Sequence, residues 1–280
     1  MRRVVFLATL LAATTAVGQN WEGDLQEETE FGDLHTMVGV TWDSKYIWRG
    51  FDIFDDKSAT HMMVDLNLFE TGFGASAVGH RANGSGFEDL ERWDGTLYYQ
   101  SGAWAGEPYA MNYRLGFVYY LYPQLNEGES VAQQEGQLVL AWPSILPIQG
   151  LQPSYALIKM WPAHSGSPLP DAASGWMHIF MLDYGFSVPP IIAGMPDHVI
   201  TLHSEVVYNG GLTVTPRYRN PDFGISHAVL GASTDLVFGS EGNIILTPAV
   251  YYQITMEESI SEDRDKDNEL WVSLGLKYAF

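Results

Sequence analysis

The side chains with chemistry to offer are Asp43, Lys45, Asp65, Asn67, Arg114, His203, Glu205, Asp235, Gln253 and Lys277, each at an alternate position within an otherwise apolar run. Both signs occur among them. Such a set does not form a catalytic constellation. It suits the inner wall of a tube, where charges meet water or one another. Two uses follow, a narrow solute path or a salt-bridged filling of the interior. Arg49 is an eleventh candidate, at the mouth of the first run. It can pair with Asp43 or Asp65 across a lumen, or it can tie loop carbonyls beside Tyr46 and Trp48, and the structural tie is the preferred reading.

Other chemistries find little support. Acid gathers in three clusters: Asp52, Asp55 and Asp56; Glu88, Asp89, Glu91 and Asp94; and Glu257, Glu258, Glu262, Asp263, Asp265, Asp267 and Glu269. These could concentrate cations or bind divalent ions, but solvated loops are the simpler reading. Asp263-Arg264-Asp265-Lys266-Asp267 has calcium-loop spacing without the following glycine or the distal glutamate, so no metal is expected. Eight histidines are present, among them the scattered His178, His198 and His203. Neither Gly-x-Ser-x-Gly nor His-Glu-x-x-His occurs, so no catalytic residue and no cofactor is expected. Gly84-Ser85-Gly86 lacks the context of a phosphate site. The absence of cysteine removes disulfides and thiolate metal sites.

The elements that position these residues are read from period-two alternation. Twelve runs stand out, at 35–48, 58–69, 72–82, 92–103, 109–122, 136–146, 150–161, 175–187, 198–209, 225–238, 243–256 and 269–280. Most are long enough for a tilted strand to cross a bilayer. In Met111–Tyr119 the odd positions are apolar or aromatic, while the even ones include Asn112, Arg114 and Gly116. In Ile200–Tyr208 the apolar set is Ile200, Leu202, Val206 and Tyr208, with His203 and Glu205 opposite.

The connections alternate in length. Arg49–Lys57, Asn83–Glu91, Pro123–Glu135, Pro162–Ser174, Gly210–Gly224 and Glu257–Asn268 are long and polar. Glu70-Thr71, Ala105–Pro108, Pro147–Gln149, Val188–Asp197 and Gly239–Gly242 are mostly shorter. Long outside and short inside is the rhythm of an all-β, antiparallel, up-and-down transmembrane barrel of about twelve strands. An even strand count leaves both termini in the periplasm.

The two ends agree with export. Met1-Arg2-Arg3, an apolar stretch and Ala16-Val17-Gly18 form a signal peptide over 1–18, too short for a spanning helix. Its removal takes away two arginines and no acid, so the formal charge moves from −20 to −22. Such acidity argues against nucleic acid as a partner. Residues 19–34, with Glu22, Asp24, Glu27, Glu28, Glu30 and Asp33, read as a solvated periplasmic lead-in, and 35–280 as the barrel. Aromatics make up 13% of the chain, enough for interfacial girdles, and mean hydropathy is only −0.06, far from that of a helical membrane protein. At the C-terminus Phe280, Tyr278, Leu276, Leu274 and Val272 share one face, while Ala279, Lys277, Gly275, Ser273 and Trp271 share the other. The first set resembles the signal read by the outer-membrane barrel-assembly machinery.

A family resemblance joins these signals. Asp43-Ser44-Lys45-Tyr46-Ile47-Trp48-Arg49-Gly50-Phe51 leads to Asp55-Asp56-Lys57 and Val64-Asp65-Leu66-Asn67-Leu68, and Gly116–Pro123 follows. Together these resemble the TorF porin family, which carries a Ser-x-Tyr-x-aromatic-Arg-Gly segment after its first strand. The likeness covers roughly residues 35–145. It implies location and fold, and it carries over no catalytic residue.

The expected protein is thus a barrel in the outer membrane of a Gram-negative-type bacterium. Its partners are membrane lipid and the assembly machinery. Its expected function is passive diffusion of small hydrophilic solutes, with a lean toward cations. A non-conducting surface receptor or structural barrel is the main alternative, and an outer-membrane hydrolase the second.

Overall fold

An alternating run buries one row of side chains only if its backbone N–H and C=O groups find partners on both sides. Twelve such runs can satisfy this without leaving an edge by closing on themselves. The computed structural model does so, describing residues 34–125, 131–163, 174–190, 197–212, 223–239, 242–256 and 268–280. The segments expected as signal peptide, 1–18, and nearly all of the expected lead-in, 19–34, lie outside these residues. So do most of the acids of the last long connection.

The strands are β1 (His35–Asp43), β4 (Ala59–Asn67), β5 (Phe73–Ala82), β6 (Arg92–Ala103), β7 (Met111–Leu121), β8 (Gln133–Ala141), β9 (Leu151–Pro162), β10 (Gly175–Val188), β11 (His198–Gly210), β12 (Phe223–Thr234), β14 (Ile244–Thr255) and β15 (Glu269–Ala279). Each pairs antiparallel with the next, and β1 pairs with β15 from Met37↔Ala279 to Asp43↔Ser273. The barrel is therefore closed, up-and-down and twelve-stranded. At the seam, Thr36 N–H donates to the Phe280 carbonyl and Phe280 N–H donates back to Thr36, both at 2.9 Å.

β12 continues after Asp235 as the short β13 (Leu236–Phe238), still on β14. A bulge opposite Val207/Tyr208 inserts Ser226 and turns both Ser226 and His227 into the interior, where both are fully buried. β8 starts earlier than its predicted run and ends at Ala141, since Trp142 precedes Pro143, whose ring and missing N–H end the ladder. The connection to β9 is accordingly longer than Pro147–Gln149. Glu135, assigned above to a loop, is on β8.

The two faces separate cleanly. On β15, Trp271, Ser273 and Lys277 are buried while Leu270, Val272, Leu274, Leu276 and Tyr278 are exposed. Trp42, Trp93, Leu97, Leu115, Phe117, Trp176, Phe180, Leu202 and Phe223 continue the exposed apolar wall on other strands. An uncovered hydrocarbon surface of this extent needs lipid rather than water against it.

The main departure from the sequence reading is at the first connection. The predicted run over 35–48 stops at Asp43, and residues 47–52 form a separate hairpin, β2 (Ile47–Trp48) with β3 (Phe51–Asp52). This connection, expected as a polar outer loop, is folded into the barrel. Twelve strands enclose more space than their own side chains fill, and the aromatic hairpin occupies that space.

Candidate functional site

The inward turn starts at Ser44, whose N–H donates to the Val272 carbonyl at 2.9 Å and whose Oγ accepts from Val272 N–H at 3.0 Å. The hairpin reverses over Arg49 and Gly50, at φ +53° and +89°, the pair of left-handed residues that a tight β-hairpin turn requires. Glycine takes this conformation freely, whereas arginine needs compensation. The Asp52 carboxylate accepts from Phe54 N–H at 3.2 Å and Asp56 N–H at 2.6 Å, shaping the return past Asp55 and Asp56, also at positive φ. Burial pushes the Asp52 carboxyl above its usual range, against those two backbone donors.

Lys45 does not line a wall. It sits at the rim and bonds Asp56 and, at 2.6 Å, Glu269. Partial burial pulls its ammonium down, but the two carboxylates outweigh this and hold it well above the usual lysine range. The hydrogen bond and charge of Lys45 hold Asp56 below the usual carboxylate range. Oxygens of Asp52, Asp56 and Glu269 converge within 4.8 Å, and Lys45 meets that charge directly.

Inside, the hairpin touches opposite walls. Tyr46, Trp48, Phe51 and Phe54 join Val118, Tyr120, Ala156, Ile158, Met160, Met177, Ile179, Met181 and Val207 in one apolar cluster. Ile47 points the other way, onto Val229, Tyr251 and Trp271. At the tip, the Gly50 carbonyl accepts from Gln253 Nε2 at 3.2 Å.

Arg49 is completely buried and forms an ion pair with Glu135, itself completely buried, with Tyr120 Oη at 3.5 Å. Its guanidinium also lies 5.0 Å from the Trp48 ring. It is a structural tie, but its partner is a carboxylate on β8 rather than Asp43, Asp65 or loop carbonyls. That contact offsets the strained backbone at the turn.

A second arginine organises the wall beside it. Arg92 chelates Asp94 at 2.7 and 3.0 Å, donates to Tyr46 Oη at 2.8 Å, and lies 4.3 and 4.6 Å from the Trp48 and Tyr120 rings. From Asp94 a polar row runs along neighbouring strands. His80 Nε2 is 3.0 Å from Asp94, His80 Nδ1 is 2.8 Å from His61 Nδ1, and His61 Nε2 is 3.0 Å from Asp43. The last is a close ionic approach rather than an aligned hydrogen bond, since neither atom completes one. Tyr46 stacks on His80 at 4.9 Å and 10°.

The remaining candidates form separate groups. Tyr98 Oη donates to Asp65 at 2.9 Å, and the Arg114 guanidinium lies 3.8 Å over the Tyr98 ring. Asn67 lies in the same row of β4. His203 Nδ1 is 2.6 Å from Asp183 and its Nε2 is 3.6 Å from Glu205. Asp235 accepts from Thr247 Oγ1 at 2.6 Å, and Lys277 is buried on β15. Asp43, Asp65, Asn67, Arg114, His203, Glu205, Asp235, Gln253 and Lys277 thus all face inward, in several networks rather than one site. Of the residues that hold the hairpin, the sequence places Tyr46 beside Arg49, Asp94 in an acidic cluster and Glu135 at the end of a connection, and it singles out none of them, nor Arg92, as a hairpin contact. For Arg92 and Asp94 a signal existed, since both occupy the same alternate row as Thr96 and Tyr98.

No protein-family profile matches the chain, so the TorF resemblance stands on its motif residues alone. No curated relative matches either. Several solved outer-membrane proteins align with it along most of its length. The NanC porin aligns at 11% identity over 88% of this chain and 99% of its own, with a TM-score of 0.46. LpxR from Salmonella typhimurium aligns at 8% over 86% and 99%, with 0.44. An anion-selective porin from Comamonas acidovorans aligns at 9% over 89% and 99%, with 0.35.

Proposed function

We propose that this chain is an outer-membrane, porin-like channel for small hydrophilic solutes, and that the first-loop hairpin is its constriction. The supporting observation is a twelve-strand barrel whose inner wall is ionic and amide-rich but whose central space is taken by a separately folded hairpin. The hydrogen-bonded wall is complete without that hairpin, because β1 and β4 pair directly along their length, up to Asp43 opposite Ala59. Removing the hairpin therefore need not open the barrel.

Among the described residues, the inward carboxylates Asp43, Asp65, Asp94, Glu135, Asp183, Glu205 and Asp235 outnumber the inward cations Arg49, Arg92, Arg114 and Lys277. This imbalance favours cations in the path. In this reading the exposed apolar wall meets lipid, and an N-terminal leader and assembly through the Phe280 strand would deliver the chain to the outer membrane. The reading assigns no catalytic step.

Planar-bilayer recording of refolded protein tests it, comparing the natural chain with a variant whose residues 46–56 are replaced by a short glycine linker. Discrete conductance steps, larger in the variant and with a cation-leaning reversal potential, are expected. Silent bilayers from both, with folded protein shown by heat-modifiable gel mobility, would assign the barrel a receptor or structural role instead.

A further inference from the structure

The contact between His61 and His80 has a consequence for the hairpin above it. Two Nδ1 atoms 2.8 Å apart hold one proton between them, donated by one ring and accepted by the other. Their outer nitrogens face Asp43 and Asp94. A pair carrying three N–H protons suits these contacts: one proton is shared between the rings, one is donated to Asp94, and the third leaves a positive charge beside Asp43. With Asp43, Asp94 and Arg92 ionised, that pair also makes the local charge sum to zero.

A fourth proton cannot be accommodated. It would enter on the accepting Nδ1, forming a new N–H bond there, and two N–H groups would then meet head-on with two imidazolium charges beside Arg92. The rings must part. Tyr46 is the residue that feels this, since it stacks on His80 and its ring centroid is 4.8 Å from that of His61. Tyr46 is also where the chain enters the hairpin.

We infer that the His61–His80 pair is a proton-operated latch, closed at neutral pH and released in acid, which frees the first-loop hairpin and opens the lumen. This rests on the channel reading for its consequence, though not for the movement itself. The groups facing the pair are Asp43 from β1, Tyr46 from the hairpin lead, and Arg92 and Asp94 from β6. Tyr120 of β7 lies behind Arg92. The other titratable side chains on or against the hairpin and its leads include Lys45, Asp52, Asp55, Asp56 and Glu269 at the rim, Glu135 beneath Arg49 and His227 beneath Gly50, whose added Cβ would lie 3.1 Å from His227 Nδ1. His227 already engages Ser226 Oγ at 3.0 Å and has no histidine partner to repel.

Two measurements test the latch. In planar bilayers, acidification from about pH 6.5 to about pH 4.5 should raise the open-to-closed ratio, because the released pair then holds four protons and the docked pair three. One linked proton limits the rise to roughly tenfold per pH unit. His61→Gln and His80→Gln should flatten the response, and His227→Gln should keep it. A response that survives in both latch variants, or that disappears in His227→Gln alone, overturns the proposal.

The second measurement keeps both histidines and needs no conductance. The chain lacks cysteine, so single Phe51→Cys and Asp55→Cys variants report maleimide access to a buried and an exposed hairpin position. The Phe51→Cys to Asp55→Cys labelling ratio should climb in acid, and a constant ratio refutes release. If the hairpin-less variant is silent in bilayers while this ratio climbs, the channel reading fails and the latch stands. If that variant conducts and the ratio is flat, the reverse holds.

Discussion

Replacing Glu135 by glutamine changes one atom's chemistry and leaves the volume of the site intact. In the natural protein Arg49 and Glu135 are both inaccessible to solvent and paired with each other. Glu135→Gln would leave a buried guanidinium facing an amide, with Tyr120 Oη at 3.5 Å as its remaining side-chain hydrogen-bond partner. Breaking one side of a buried ion pair costs about 3–5 kcal/mol. The barrel does not have to absorb that cost. The hairpin is joined to the wall by two short leads and can withdraw, taking Arg49 to water. The destabilisation is then expressed as a change of about two to four orders of magnitude in the undocked-to-docked ratio. Barrel unfolding in urea should move by much less than the ion-pair cost, whereas single-channel open time at neutral pH should rise steeply. Arg49→Met with Glu135→Gln should restore much of the docking, since no buried charge is left unpaired. Unchanged gating together with unchanged unfolding would refute the reasoning, because a buried charge would then have lost its partner without consequence.

Other residues make independent tests. Gly74 lies opposite Tyr98, and a methyl added there would collide with the Tyr98 ring; Gly74→Ala should displace that ring from Asp65 and Arg114 and lower urea stability by about 1–3 kcal/mol. Lys45→Met should cost about 1–3 kcal/mol, more than an exposed pair would, since Asp56 is largely exposed but Glu269 is buried and loses its cation. The depressed Asp56 carboxyl contributes above its unfolded value and loses that as acid protonates it, while the raised Lys45 contributes below its unfolded value. The difference between Lys45→Met and the natural chain should therefore be flat from about pH 5 to about pH 9 and shrink outside that window, as read by urea titration at each pH. Leu274→Lys, at the middle of the lipid face of β15, should cost about 2–4 kcal/mol in liposome unfolding, and Leu270→Lys near the rim about 0–1; equal costs would mean that no hydrocarbon band surrounds the strand.

Much of the barrel is legible along the chain because its determinants are local. Side chains on a strand alternate with a period of two, so Val272, Leu274 and Leu276 against Ser273, Gly275 and Lys277 declare two faces without reference to any neighbour. The inward orientation of Asp65, Arg114 and Glu205 follows from the same rule. The exceptions have local causes. Pro143 ended β8 early, and the bulge at Ser226 cannot be seen in period-two patterning at all.

The hairpin is a different case. Tyr46, Ile47, Trp48, Phe51 and Phe54 are too apolar for an outer loop, and Arg49-Gly50 is a turn pair, so its composition announces burial. Where it is buried depends on contacts far away in sequence. Glu135 on β8 neutralises Arg49, Gln253 on β14 bonds the tip, and His80 on β5 seats Tyr46. Those partners converge only once twelve strands have closed, since closure creates both the space the hairpin fills and the dry surroundings that make an ion pair between Arg49 and Glu135 obligatory. Local alternation thus specifies a wall with two faces, whereas the closed barrel's interior volume decides that its first loop turns inward and takes up the lumen.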